Sequence, residues 1–142
     1  MRNRLTAAVL MVAAVMLLVS PVARADEEAE KKAIAAAETW LALIDQGKIA
    51  ESWETSAVLF RGAVTQEQWQ QTMNGARGPL GKVIWRKVLV AKYETQLPGA
   101  PDGEYVIVQF KSAFENKINA TETVTPMKDP DGQWRVSGYY LK

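Results

Sequence analysis

The chain contains neither cysteine nor histidine among its 142 residues. Without cysteine it forms no disulfide, so its stability must come from the packing of a hydrophobic core. Without histidine it lacks the side chain that titrates near neutral pH when unperturbed, and zinc, copper and haem sites lose their usual ligands. The sequence therefore predicts no metal and no cofactor.

The first 25 residues have the pattern of a signal peptide. Arg2 and Arg4 form a positive region, and Leu5 to Val19 is apolar apart from Thr6. Small residues in Ala23-Arg-Ala25 stand where signal peptidase cleaves. A retained membrane anchor is the alternative, but these fifteen residues fall short of the ~20 that a bilayer crossing needs. We expect cleavage after Ala25 and a periplasmic or secreted protein with no stable membrane anchor.

The predicted mature chain, residues 26–142, has the size of a single domain. It keeps 14 basic and 16 acidic residues, for a net charge of −2. Because this balance gives no electrostatic reason to bind nucleic acid or an anionic membrane, no nucleic-acid partner is predicted.

The first half of this domain has the spacing of helices. Apolar residues recur every three or four positions in three predicted helices, Asp26–Gln46, Lys48–Ser56 and Gln66 to about Ala76. Thr65-Gln-Glu-Gln68 has the form of a capping box that begins the third helix. Val58-Leu-Phe60 either continues the second helix or begins a loop.

The second half alternates with a period of two, as strands do. The central stretch, Gly103–Phe114, places Val106, Val108 and Phe110 on one side, which the helices should cover. The other predicted strands are Lys82–Thr95, Ala120–Met127 and Gln133–Leu141, and Asp129-Pro-Asp-Gly132 predicts a hairpin turn before the last one. The predicted fold class is α+β, with three N-terminal helices packed on a four-stranded antiparallel meander.

Two strand details are also predicted. Pro126 should lie near an edge or at a strand end, since proline cannot donate to the sheet. In the last strand, simple alternation puts Val136 and Tyr140 on one face and Tyr139 on the other.

Three blocks resemble a known family. They are Ala36-Ala-Glu-Thr-Trp-Leu-Ala-Leu-Ile-Asp45 with Glu51-Ser-Trp53, then Leu97-Pro-Gly-Ala-Pro-Asp-Gly-Glu-Tyr-Val106, and Glu122-Thr-Val-Thr-Pro-Met127 with Asp131-Gly-Gln-Trp-Arg-Val-Ser-Gly-Tyr-Tyr140. In combination they resemble the bacterial exported family called domain of unknown function 4019. The resemblance implies export but no established activity. The order of elements is also similar to the cystatin-like and nuclear-transport-factor-2-like folds, a likeness that says little about function.

The curved-sheet folds include lyases and isomerases, which gives one hypothesis, a small cofactor-free enzyme. Such enzymes use a carboxylate or a His–Asp pair in an apolar cone. Here histidine is absent, and Glu104, Glu115 and Glu122 are predicted to be solvated. Tyrosine hydroxyls are present, but tyrosine is common on half-buried strands. No catalytic residue is therefore predicted.

The other hypothesis is a non-enzymatic module that binds a small ligand or a protein. Five tryptophans are many for such a chain, and they either fill the core or partly line an apolar pocket. Arginines would then hold an anionic end of the ligand. The candidate ligand-binding residues are Trp40, Trp53, Trp69, Trp85, Arg77 and Arg86. Trp85 is the best candidate for a residue outside the core, and its strand also fits a homodimer surface.

Overall fold

The structure, a computed structural model, describes residues 18–142. Most of the predicted signal peptide, residues 1–17, lies outside the described residues, so its cleavage stays a prediction. Among the helices within 18–142, none combines the length and the apolar character of a membrane span.

Four α-helices come first along the described chain, and four strands follow. The helices are α1 (Pro21–Asp45), α2 (Ile49–Glu54), α3 (Val58–Ala63) and α4 (Gln66–Arg77), and a 3₁₀ turn at Gly78–Leu80 ends the helical half. The strands are β1 (Val83–Glu94), β2 (Tyr105–Phe114), β3 (Lys117–Lys128) and β4 (Trp134–Leu141). They form one antiparallel sheet in the order β1-β2-β3-β4. The predicted α+β class and the four-stranded meander are confirmed.

The helical half differs from the prediction at two points. Helix α1 begins at Pro21 rather than Asp26, since proline suits the first turn, where its missing N–H is not needed. Val58–Ala63 forms a separate short helix, α3, which buries Phe60. The predicted capping box is confirmed, with reciprocal hydrogen bonds of 3.1 and 3.0 Å between Thr65 and Gln68.

The sheet contains two irregularities that simple alternation does not foresee. Pro126 lies buried in β3, an interior strand, so the predicted edge position is wrong, but it stands two residues before the end of that strand at Lys128. A register shift between Thr125 and Pro126 accommodates it. Because of the same shift, Ser137 in β4 has no paired residue in β3. Val136 and Tyr139 therefore both pack on the core, while Tyr140 is exposed. The predicted alternation of β4 is therefore wrong beyond Ser137.

The core lies between the helices and the inner face of the sheet. Ala33 and Ala37 are fully buried, because alanine lets α1 approach the sheet closely. The sheet contributes the predicted apolar row of β2 together with side chains of β3 and β4, namely Val106, Val108, Phe110, Val124 and Val136. The helices thus cover the face on which the sequence placed these residues.

Candidate functional site

Three polar side chains meet on the inner face of the sheet. The register pairs Arg86 with Ser112 and Phe110 with Glu122, and paired residues of antiparallel strands face the same way. Glu122 is fully buried, and its Oε1 accepts hydrogen bonds from Arg86 Nε at 2.7 Å and from Ser112 Oγ at 2.5 Å. The expectation that Glu122 is solvated is wrong, because it shares the inner face with Val124 two residues away.

The ends of α1 and α4 complete this buried network. Asp45 accepts hydrogen bonds of 2.7 Å from Arg86 Nη1 and from Arg77 Nη2. Arg77 Nη1 lies 3.9 Å from Glu122 Oε2, and its guanidinium lies 4.7 Å from the centre of the Phe114 ring. Two arginines thus face two carboxylates, which tie both helices to the sheet. We call Asp45, Arg77, Arg86, Ser112 and Glu122 the ion network.

The surroundings keep the Asp45–Arg86 pair charged. Burial would raise the pKa of Asp45, but hydrogen bonds from Arg86 and Arg77 hold it below its ordinary value. Burial would lower the pKa of Arg86, but its hydrogen bonds to Asp45 and Glu122 raise it. Both groups therefore carry their charges at neutral pH.

Tyr139 joins the ion network to a cluster of aromatic rings. Its hydroxyl donates to Glu122 Oε2, and burial together with that carboxylate raises the pKa of Tyr139. The hydroxyl is therefore held as a donor. The Tyr139 ring lies 5.5 Å from the Trp40 ring and 6.4 Å from the Trp69 ring, centre to centre, with edge-to-face geometry.

Two of the predicted ligand-binding tryptophans belong to that cluster. Trp40 Nε1 donates to the Ser52 carbonyl at 2.8 Å and to Ser56 Oγ at 3.0 Å. Trp69 Nε1 donates to Ser52 Oγ at 2.9 Å, and its ring also contacts Phe60. Trp40 and Trp69 are both buried, and both serine side chains are fully buried. These tryptophans fill the core with their N–H groups satisfied.

The structure separates the remaining candidates. Arg77 and Arg86 meet on Asp45 inside the ion network. Trp53 is half-buried and donates to the Val64 carbonyl at 2.7 Å. Trp85 stands apart from all of them, exposed on β1.

The ion network is built to hold its own charges. Both oxygens of Glu122 already accept hydrogen bonds from the protein's own side chains, and the carboxylate is fully buried, so it is not open to a substrate from solvent. Arg77 Nε and Nη1 have no hydrogen-bond partner within residues 18–142, but both atoms are enclosed away from solvent. In the same described portion, no three acidic side chains gather closely enough to hold a metal ion.

The surface clefts do not bring the predicted ligand-binding residues together. One cleft has a volume of about 690 Å³ and lies between α4 and the start of β1. Its charged lining has both signs, Asp45 and Glu115 against Arg77 and Lys82, so it has no preference for one ligand charge. A second cleft of about 470 Å³ borders Trp40 and Trp134.

The outstanding feature outside the core is an apolar edge strand. β1 lies at one edge of the sheet, and five of its large apolar side chains are between 37% and 60% exposed. Lysines stand between and beside them. The set spans both faces of the strand, since Val88 lies opposite the core residue Phe110. We call it the β1 surface: Ile84, Trp85, Lys87, Val88, Leu89, Val90 and Lys92. Such a group of exposed apolar side chains usually marks an interaction site.

Sequence reasoning missed Asp45 and Glu122, although one signal was present. In β3, Ala120, Glu122, Val124 and Pro126 alternate regularly and all are buried. Extending the alternation of β2 across the turn into β3 would have placed Glu122 inside. No local pattern marked Asp45, whose partners lie 32 and 41 residues away in the chain.

Comparison with known proteins identifies a family. No curated protein and no solved structure matches the chain. A family model described as a protein of unknown function, DUF4019, matches residues 36–139, which include the C-terminal part of α1, all of α2 to β3 and most of β4. The chain therefore belongs to the DUF4019 family.

Proposed function

We propose that this chain is an exported bacterial protein, periplasmic or secreted, whose domain binds another protein and catalyses no reaction. The observation that carries the proposal is the β1 surface, where five large apolar side chains are exposed on one strand. A folded domain rarely leaves such a group exposed without a partner. Export is supported by the signal-peptide pattern of residues 1–25.

A small-ligand site inside the domain has less support. Trp40 and Trp69 pack on Tyr139 and Phe60, so the space between helices and sheet is filled with aromatic rings. The two arginines predicted to hold an anionic ligand instead hold Asp45 and Glu122. A ligand there would have to displace the protein's own carboxylates.

The lyase or isomerase alternative meets a similar difficulty. Glu122 occupies the kind of position that an acid–base catalyst needs, on the inner face of the sheet. However, both oxygens of Glu122 accept hydrogen bonds within the domain and the side chain is fully buried, whereas a general base must reach the proton that it removes. This geometry favours a structural role for the carboxylate.

Site-specific photocrosslinking in the producing cells tests the proposal. The full chain is expressed with a photoreactive benzoylphenylalanine at position 85 and, as a matched control, at position 140. Tyr140 is also an exposed aromatic residue, but it lies on the opposite edge strand. We expect a discrete adduct from position 85 that the second change Leu89→Lys removes, and no such adduct from position 140.

The intact mass of the purified protein tests export at the same time. Loss of the first 25 residues is expected. Equal adducts from positions 85 and 140, or none from either, would overturn the binding proposal. A bound small molecule retained in native mass spectrometry, and lost on changes in the 690 Å³ cleft rather than in β1, would favour the ligand hypothesis.

A further inference from the structure

We propose that the partner of the β1 surface is an extended segment of a different protein, with alternating acidic and apolar side chains, which adds to the free edge of β1 as a fifth strand. This inference rests on the proposed protein-binding function and states which kind of chain is bound. Three features of β1 support it: its main chain, its charge and its register.

The main chain of β1 distinguishes between kinds of partner. β1 is 12 residues long and pairs with β2 on one side; on the other side it has no strand partner within residues 18–142. A partner that packs along the free edge beside Trp85 and Val90 also removes water from the N–H and C=O groups of that edge. Each group left unpaired out of water costs free energy. An added strand satisfies these groups, whereas a helix or a lipid surface does not.

The charge of β1 specifies the side chains of the partner. Lys87 lies opposite Lys111 on β2, on the outer face, and Lys92 lies on the same face opposite Ile107. Glu94 is the one acid in β1, and it already pairs with Lys92 at 2.9 Å. Lys87 and Lys111 form no salt bridge within residues 18–142, so this face carries a net positive charge, although the predicted mature chain has a net charge of −2. An acidic segment complements it.

The pairing register of β1 predicts alternating acidic and apolar side chains in the partner strand. Trp85, Lys87, Val90 and Lys92 share the outer face, because the register shift between Val88 and Val90 keeps them in one row. Apolar and basic side chains therefore alternate along that row. A neighbouring strand presents every second side chain to the row, so acidic groups near the lysines and apolar groups near Trp85 and Val90 fit best.

A second copy of this chain fits less well. In the antiparallel registers that place Lys87 opposite Lys87 or Lys92 of the second copy, lysine meets lysine, and like charges directly opposite on neighbouring strands are destabilising. Edge lysines and a bulge are also the features with which proteins discourage pairing of identical edges. The same lysines that oppose self-pairing attract an acidic strand.

Binding of model peptides by the purified, isotope-labelled protein tests the inference. The first probe is a blocked eight-residue peptide of alternating valine and glutamate, and the matched probe replaces glutamate with lysine. We expect the acidic peptide to bind about tenfold more tightly, which corresponds to ~1.4 kcal/mol and to two exposed ion pairs. Chemical-shift changes should centre on β1.

Hydrogen exchange of the β1 amides tests the strand geometry. In an added strand, every second N–H of β1 points to the partner, so alternate amides should become protected when the acidic peptide is present. Protection of no β1 amide, or of a continuous run without alternation, would overturn strand addition.

Charge reversal tests the specificity. The double change Lys87→Glu and Lys92→Glu should reverse the preference in favour of the lysine peptide. The control is Lys117→Glu with Lys128→Glu, the same change in charge on β3, which should keep the original preference.

The remaining outcomes separate this inference from the proposed function. A dimer in sedimentation that Trp85→Lys dissolves, or binding to vesicles of phosphatidylglycerol that Trp85→Lys abolishes, would overturn the acidic-strand inference. So would equal affinity for the two peptides. A position-specific protein adduct at position 85 would survive any of these results, since it depends only on protein binding at β1.

Discussion

Arg86 and its neighbours Trp85 and Lys87 follow one another in β1 but face opposite environments. Arg86 points to the inner face, where Glu122 and Asp45 each accept from it at 2.7 Å. Lys87 points outward, with its Nζ 5.7 Å from the centre of the Trp85 ring, and it forms no salt bridge among the residues that the structure describes. β1 thus carries one basic side chain, Arg86, that is held by two carboxylates, and a second, Lys87, that forms no salt bridge among the described residues.

The inner side of β1 contributes to the stability of the fold, and its outer side is where we propose that a partner binds. A buried charge requires a fixed partner, because an unpaired charge away from water costs several kcal/mol. An exposed lysine beside an exposed tryptophan has no such requirement and adds little to folding. The charged side chains on the inner side of β1 already have partners within the domain, whereas we propose that the side chains on its outer side gain theirs from another protein. Changes on the two sides should therefore have different consequences.

The largest effect is expected on the inner side, from Glu122→Ala. The change leaves the Arg86 guanidinium without its carboxylate and removes the acceptor of Ser112 and Tyr139. Breaking a buried ion pair in this way typically costs about 3–5 kcal/mol of the free energy of unfolding. Denaturant unfolding of the two proteins measures the difference.

Glu104→Ala is the matched control for this prediction. Glu104 lies 3.6 Å from Lys128 at the surface, with 43% of each side chain exposed. Exposed pairs contribute about 0–1 kcal/mol, so this variant should stay close to the original protein. Equal losses from Glu122→Ala and Glu104→Ala would contradict the assignment of the ion network.

A smaller effect with a distinct pH dependence is expected from Asp45→Asn. Because Asp45 is partly exposed, we expect about 2 kcal/mol at neutral pH, below the range for a fully buried pair. The pKa of Asp45 is lower in the folded chain than its ordinary 3.8, so its ionised form stabilises the fold above that pH. This contribution is lost as the pH falls below 3.8 towards the folded pKa.

Denaturant unfolding over a pH series measures this dependence. The difference between the original protein and Asp45→Asn should be constant near neutral pH and shrink in acid. Asp102→Asn, at an exposed turn position, should show no such difference at any pH. A gap that stays constant below pH 3.8 would show that the charge of Asp45 is not what stabilises the fold.

The parts of the fold that local chemistry specifies were predictable from the sequence. The capping box at Thr65 and Gln68 begins α4 where predicted. Gly132 adopts a φ of +84° in the turn before β4, as the predicted hairpin requires. The alternation of β2 gave the right buried face. These features depend on residues only a few positions apart.

The features that were missed depend on distant contacts. Glu122 and Arg86 are 36 residues apart, so neither shows locally that it has a buried partner. Tyr139 faces inward because of the irregularity around Ser137, which changes the alternation of β4. The likeness to the cystatin-like and nuclear-transport-factor-2-like folds stays a prediction.

The smallest effect on stability is expected on the outer side, from Trp85→Thr. Trp85 is 45% exposed, and threonine favours strands, so the free energy of unfolding should change by at most about 1 kcal/mol. Thermal and denaturant unfolding measure it, with Tyr140→Thr as the matched exposed control. A loss above ~2 kcal/mol would place Trp85 among the residues that hold the fold together. We expect Trp85→Thr to keep the stability of the domain and to lose binding at β1. That result would show that Trp85 is needed for the partner and not for folding.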